Sequence, residues 1–108
     1  MTLDEFIAQS SIRNSYVEEE GFSSLYVRIG PRYINGKKYN RVLDLANFEA
    51  SDYGKGTFTN LVTRLRDTYP DLPLFVESVL NPRLPNKLLS LGFTYVPNSN
   101  PPCFILGI

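Results

Sequence analysis

The sequence contains no histidine and only one cysteine among its 108 residues. The lack of histidine excludes Ser-His-Asp and Cys-His catalytic machinery and any histidine-ligated metal site. The lone Cys103 cannot form an internal disulfide and lies in the apolar run CFIL, so we interpret it as a buried, unreactive thiol. Any catalysis must therefore use carboxylates, tyrosines, backbone N–H groups or a cofactor, and we expect no metal.

Excess charge and long apolar runs are also missing. Eleven basic residues balance eleven acidic ones, so the chain has no polybasic footprint and we expect no nucleic-acid partner. No apolar run approaches the roughly 20 residues that span a bilayer, and the N-terminus MTLDEF lacks the features of a signal peptide. We therefore expect one cytoplasmic domain, residues 1–108, without a membrane partner.

The N-terminal segment has helical features. Thr2 and Glu5 have the spacing of a capping box, and apolar residues follow directly. This pattern predicts one or two helices within residues 3–20, with Tyr16 continuing the apolar contacts and Gly21 ending the segment.

The next stretch predicts a β-hairpin. Apolar residues alternate with polar ones over residues 25–29, and Gly30-Pro31 indicates a bulge or bend. Asn35-Gly36 is a strong hairpin signal, because a type I′ turn needs positive φ at both central positions. The returning strand, residues 41–48, is apolar on both faces and is therefore expected at the centre of the sheet.

A glycine loop connects this central strand to an amphipathic helix. The apolar residues at helical spacing are Phe58, Leu61, Val62, Leu65 and Tyr69. Gly54 and Gly56 remove side chains from the turn just before the helix presents its unpaired N–H groups. A helix start of this kind attracts anions, although two glycines also serve simply to allow a tight turn.

The C-terminal part continues with a strand, a short helix and two more strands. LFVESVL, residues 74–80, predicts a strand parallel to the central one, because a helix connects the two. Asn81 and Pro82 have the residue types of a helix cap and first position, and Gly92 is typical of a helix end. Two short strands are expected at residues 93–96 and 103–106.

Two stretches, FEASDYGKGTFTNLVTRL (48–65) and NPRLPNKLLSLGF (81–93), resemble the signatures of the GNAT superfamily of acetyl-coenzyme A-dependent N-acetyltransferases. The first is similar to the family's pyrophosphate loop, R/Q-x-x-G-x-G/A, aligned on residues 53–58. The second is similar to the family's Asn followed, after a short helix, by Gly-Phe. The resemblance extends from about Leu25 to the C-terminus and implies a small member with an α+β (α/β) fold. Its sheet would be mixed and mostly antiparallel, with a central parallel βαβ pair flanked by helices.

The resemblance implies transfer of an acetyl group from acetyl-coenzyme A to an amine by direct attack on the thioester. The cosubstrate would be held by the strand edge and by the loop and helix start. The residues concerned are Phe48, Glu49, Ala50, Tyr53, Gly54, Lys55, Gly56, Thr57, Phe58 and Asn81. Asp44 and Glu77 are candidate general bases on expected buried strands, and Tyr95 is the candidate acid; each also has an ordinary structural explanation.

The chain departs from the family pattern at three positions. Tyr53 replaces the usual Arg or Gln, Phe58 replaces the small residue that closes the loop, and Leu88 stands where many relatives carry a catalytic tyrosine. A non-catalytic module that binds coenzyme A or a protein is therefore the alternative function. Gly54-Lys55 also occurs in nucleotide-binding P-loops, but most of that motif is missing here.

The acceptor amine is not specified by the sequence, and it belongs either to a small molecule or to a protein. Tyrosines are concentrated in the predicted hairpin, at Tyr26, Tyr33 and Tyr39, where they either pack across strands or support a homodimer.

Overall fold

The computed structural model describes residues 1–51, 56–77 and 79–107 of the chain. Within these ranges, three helices accompany one six-stranded sheet. The helices are α1 (Leu3–Ala8), α2 (Thr57–Thr68) and α3 (Leu84–Ser90); the strands are β1 (Asn14–Tyr16), β2 (Phe22–Ile34), β3 (Lys37–Ala50), β4 (Leu74–Val76), β5 (Thr94–Tyr95) and β6 (Phe104–Leu106). The expectation of a mixed α+β fold is confirmed.

The sheet has the strand order β1-β2-β3-β4-β6-β5. Only the pairing of β3 with β4 is parallel among its described pairs, and the others are antiparallel. The sequence-based prediction of a central strand that pairs in parallel with the strand after the helix is therefore confirmed. β4 is shorter than the predicted strand 74–80, because its pairing ends at Val76.

The main core lies between the helices and one face of the sheet. Four residues of the predicted α2 stripe are buried there, namely Phe58, Leu61, Val62 and Leu65, and Tyr69 packs partly buried against them. Leu25, Val27, Leu43 and Leu45 contribute the facing sheet residues. A smaller apolar cluster of Ile34, Val42, Phe75 and Ile105 lies on the opposite face. Among the described residues, no helix is long and apolar enough to cross a bilayer.

A polar network fastens α1 to α2. The guanidinium of Arg64 donates to the Asp4 carboxylate at 3.0 Å and to Glu19 at 2.8 Å. The hydroxyl of Tyr69 donates to the other Asp4 oxygen at 2.6 Å. The hydrogen bond from Tyr69 is the largest of the effects that lower the pKa of Asp4.

The hairpin prediction is confirmed, whereas the helical prediction for the N-terminal segment is only partly right. Asn35 and Gly36 both have positive φ, at 52° and 79°, as a type I′ turn requires. Thr2 and Glu5 form the predicted capping box. The segment containing Tyr16, however, is not helical. It forms strand β1, whose backbone pairs with β2.

The helix predicted at Asn81 begins later, at Leu84. The side chain of Asn81 instead accepts from the N–H of Arg83 at 3.0 Å, which closes a turn before the helix. Gly92 ends the helix as predicted, with φ of 97°, and the N–H of Phe93 donates back to the carbonyl of Leu88 at 3.0 Å. Cys103 is partly exposed, contrary to its interpretation as a buried thiol.

Candidate active site

The parallel strands β3 and β4 separate after three residue pairs. Leu43, Asp44 and Leu45 pair with Leu74–Val76, and beyond this point β3 continues to Ala50 with no described partner on that side. A parallel ladder satisfies backbone groups only where both strands run together. The last part of β3 therefore presents an edge with which no described strand pairs on the side of β4.

A β-bulge in β3 lies at the point of separation. Val27 faces Leu45 and Tyr26 faces Asn47, so Ala46 is an extra residue without a partner in β2. An extra residue bends a strand and increases its twist. Phe48 lies on the face of Leu45, although the two are three residues apart. The bulge thus turns β3 away from β4, and Phe48 faces the helices.

The chain beyond β4 diverges from β3 and remains hydrogen-bonded to β6 and to the residues just before it. Val76 pairs with Phe104, and the N–H of Val79 donates to the carbonyl of Pro102 at 2.8 Å. β3 remains attached to β2 over the same interval, since Leu25 still faces Phe48. The two halves of the sheet therefore diverge and leave an opening between them.

This opening is a cleft of about 500 Å³, within the range of roughly 300–1,000 Å³ that is usual for small-molecule sites. It is bounded by the end of β3, the start of α2, the segment after β4 and the start of α3. The lining residues are Phe22, Ala46, Asn47, Phe48, Glu49, Ala50, Gly56, Thr57, Phe58, Val76, Glu77, Val79, Leu80, Asn81, Arg83, Leu84 and Lys87. Seven of the ten predicted cosubstrate-binding residues belong to this lining. Tyr53, Gly54 and Lys55 lie outside the described residues.

The start of α2 opens into the cleft with N–H donors that no described residue engages. Gly56 is the N-cap, in the left-handed region at φ of 69°, and it has no side chain to cap the helix. Its carbonyl accepts from the N–H of Asn60, which begins the helical pattern. The N–H groups of Thr57, Phe58 and Thr59 have no acceptor among the described residues. Such donors, with the helix dipole behind them, favour an anion.

Aromatic rings form the apolar wall of the cleft. Phe48 stacks on Phe58 with ring centroids 4.9 Å apart and an interplanar angle of 13°. Phe22 meets Phe48 edge-on at 6.2 Å. Offset and edge-on ring pairs of this kind are favourable beyond the area that they bury. The bulge and this stack together hold the free edge of β3 beside the helix start.

Two cations in the lining were not predicted from the sequence. Arg83 and Lys87 are four residues apart at the start of α3, and both side chains are exposed at the cleft. Residues at this spacing lie on the same side of a helix. The signal was present in NPRLPNK, where two basic residues follow Asn81 at helical spacing.

Glu77 and Asp44 are the predicted acids that meet at the separation point. Glu77 lines the cleft and accepts from Arg28 at 3.0 Å. Asp44 is only 2% exposed and accepts from Arg32 at 3.2 Å through Oδ2. Its Oδ1 is buried and has no hydrogen-bond donor among the described residues. The carboxyl of Glu77 lies close enough to Asp44 to raise the pKa of Asp44, through a hydrogen bond and through charge repulsion.

Burial, which is the largest effect, and the neighbouring carboxyl of Glu77 together raise the pKa of Asp44 to about 8. The guanidinium groups of Arg32 and Arg28 oppose this shift. Because the carboxyls interact, the proton belongs to the pair as a whole. A group that titrates near neutral pH at the end of a cleft is suited to general base chemistry.

No family model, curated protein or solved structure matches this chain. The functional conclusion therefore depends on the residues of the cleft and their chemistry.

Tyr95 lies apart from the cleft. It is on the edge strand β5, packs edge-on against Phe104, and donates from its hydroxyl to the carbonyl of Ser99 at 3.2 Å. Leu88, the departure from the GNAT pattern noted in the sequence, is fully buried in the core. The described lining of the cleft contains no tyrosine.

Proposed function

We propose that this chain is a GNAT-type N-acetyltransferase that moves an acetyl group from acetyl-coenzyme A to an amine. The observation that carries the proposal is the separation of β3 from β4 after Leu45 and Val76, directly beside the N-terminus of α2, where no described side chain caps the helix. A free strand edge and a helix start in one cleft offer hydrogen bonds to an extended amide chain and to a diphosphate at the same time.

The residues present fit the chemistry of the cosubstrate. The N–H groups of Thr57 and Phe58 would hold the diphosphate, and Arg83 and Lys87 would add charge-assisted contacts to phosphate. The unpaired edge of β3, residues 46–50, would pair with the amides of the pantetheine arm. When bound, acetyl-coenzyme A supplies an acetyl group already activated as a thioester.

The Asp44–Glu77 pair provides the base. The amine nitrogen forms a bond to the acyl carbon while the carbon–sulfur bond breaks. The proton released by the amine goes to the carboxyl pair and then to the departing thiolate, so protons and charge balance. A positioned base of this kind contributes about 10²–10⁴-fold. Free N–H groups on the edge of β3 would stabilise the developing oxyanion.

The absence of a tyrosine from the described lining favours the alternative, a module that binds coenzyme A without transferring the acetyl group. A coenzyme A thiol leaves as a fairly stable thiolate, so transfer does not require a tyrosine acid. The two functions therefore share the cosubstrate site and differ in turnover.

Calorimetric titration of the protein with acetyl-coenzyme A tests the shared site. Gly56→Glu places a carboxylate at the free helix start, and we expect it to weaken binding at least about tenfold. Gly36→Glu is the matched control, since Gly36 also has positive φ and both glycines have open space where a Cβ would stand. Both variants carry similar backbone strain, but only the first changes the cleft.

Thiol release in the presence of an amine panel then separates enzyme from module. Binding without thiol release from any amine identifies the non-catalytic module. The site assignment is overturned if acetyl-coenzyme A does not bind, or if Gly56→Glu binds it as well as Gly36→Glu does.

A further inference from the structure

A second depression lies on the sheet face that carries Asp44. It has a volume of about 270 Å³ and is lined by Arg13, Asn14, Arg28, Ile29, Gly30, Pro31, Arg32, Val42 and Asp44; we call it the arginine groove. The volume is near the lower limit of small-molecule sites, so the groove suits a ligand much smaller than a coenzyme.

Three guanidinium groups give the groove a positive balance. Arg28 pairs with Glu77 and Arg32 pairs with Asp44. Arg13 forms no ion pair with any described residue, and its guanidinium lies over Gly30, 3.6 Å from where a Cβ would stand there. The three arginines thus exceed the two carboxylates that they face, and planar guanidinium groups match the geometry of a carboxylate.

Asp44 is the one carboxylate in the described lining of this positive surface. An ammonium or amine group is a donor that satisfies a carboxylate oxygen. The groove therefore presents donors for an anion and an acceptor for an amine in the same small space.

The arginine groove and the cleft meet at the carboxyl pair. Asp44 lines the groove, Glu77 lines the cleft, and Glu77 is near enough to raise the pKa of Asp44. The strands also separate at this point, one residue pair beyond Asp44 and Phe75. An amine held at Asp44 is therefore positioned beside the opening through which a thioester is reached from the cleft.

We propose that the arginine groove binds a free α-amino acid as the acetyl acceptor, with its carboxylate on the arginines and its amine at Asp44. This inference rests on the proposed acetyl transfer and specifies its acceptor. The arginines bind the carboxylate, and Asp44 receives the amine proton. The new carbon–nitrogen bond replaces the carbon–sulfur bond of the thioester, and the released coenzyme A thiolate takes the proton.

Binding is tested first without turnover. Isotope-labelled protein is titrated by NMR with each free amino acid and with its carboxamide, which keeps the amine but lacks the carboxylate charge. We expect at least one amino acid to shift the backbone amides of Arg13, residues 28–30 and Arg32, and its carboxamide to bind about tenfold more weakly. The inference is wrong if no amino acid shifts these amides, whatever acetyl-coenzyme A does.

Kinetics provide the second test. Arg13→Gln is expected to raise KM for the amino acid about tenfold and to leave KM for its carboxamide unchanged. Arg66→Gln, at the exposed end of α2, is the matched control for loss of an arginine. Equal kcat/KM for the amino acid and its carboxamide would overturn the acceptor assignment and leave acetyl transfer standing. Amino acid binding without acetyl-coenzyme A binding would instead remove the proposed enzymatic function.

Discussion

Asp44 and Glu77 are interacting carboxyls at the end of the only described parallel pairing in the sheet. Each is also held by an arginine of β2, Asp44 by Arg32 and Glu77 by Arg28. Two neighbouring carboxyls do not both ionise easily, so a proton is retained at nearly neutral pH. This shared proton gives the site a titration that is measurable in rate and in stability.

The pH profile is the first prediction. We expect kcat/KM to rise with pH through an apparent pKa of about 8, because the base must lose its proton before it accepts one from the amine. Glu77→Gln removes the neighbouring carboxylate and should move this apparent pKa downwards. The measurement is kcat/KM across the pH range for the wild type and for Glu77→Gln. Identical pH profiles of the two proteins would contradict the interaction between Asp44 and Glu77.

Stability provides the second prediction. The pKa of Asp44 is raised in the folded state, so the folded protein holds more protons than the unfolded chain between about pH 4 and about pH 8. The stability contributed by the protonated carboxyl is therefore lost as pH rises through this window. Asn in place of Asp44 keeps a donor towards Glu77 and an acceptor for Arg32, but it does not titrate.

For Asp44→Asn we expect a stability advantage over the wild type that grows by about 2 kcal/mol or more between about pH 5 and about pH 9. Urea denaturation at each pH measures the free energy of unfolding. The same variant should lower kcat by about 10²–10⁴-fold. A stability difference that does not change with pH would show that the carboxyl of Asp44 titrates normally.

The third prediction concerns the two cations at the cleft. The double variant Arg83→Gln with Lys87→Gln should weaken acetyl-coenzyme A binding by about tenfold, and the loss should shrink as salt is added, because the contacts are exposed and screened. Lys37→Gln with Lys38→Gln, in the hairpin, is the control with the same change in net charge. If the two double variants bind acetyl-coenzyme A with equal affinity, Arg83 and Lys87 do not contact its phosphates.

The fourth prediction tests the network between α1 and α2. Tyr69→Phe removes the hydrogen bond to Asp4 and should lower the free energy of unfolding by about 0.5–1 kcal/mol at neutral pH. The pKa of Asp4 is lowered in the folded state, so this stability is present at neutral pH and is lost as pH falls below about 4. Thermal melts at two pH values, with the exposed Tyr33→Phe as control, measure the effect.

Local patterns predicted the elements whose structure is decided by local chemistry. Asn35 and Gly36 specify their turn because few other residues adopt positive φ there, and the spacing of Phe58 to Leu65 specifies the buried face of α2. The segment of β1 is predicted as helix because Tyr16 continues an apolar spacing, whereas its backbone pairs with residues 26–28 of the next strand, β2. A strand of three residues is too short to show the alternation that identifies strands in a sequence.

In the candidate site, too, the features set by local sequence were predicted and those set by pairing between strands were missed. The lining contributed by Phe48, Gly56 and Asn81 was predicted because these residues lie in recognisable stretches. The role of Arg13 was not predicted, because no residue near it in the sequence indicates that it lines the same groove as Arg28 and Arg32. The bulge at Ala46 was also missed, because it is defined by register with β2 and not by composition.

The bulge opens the cleft without deciding which face Phe48 occupies. Substituting Ala46 changes one side chain and keeps the extra residue. Deleting Ala46 leaves Phe48 two residues after Leu45, so its ring stays on the face of Phe58, but β3 loses the residue that bends it. A chain shortened by this one residue would therefore keep its aromatic stack and narrow its cleft.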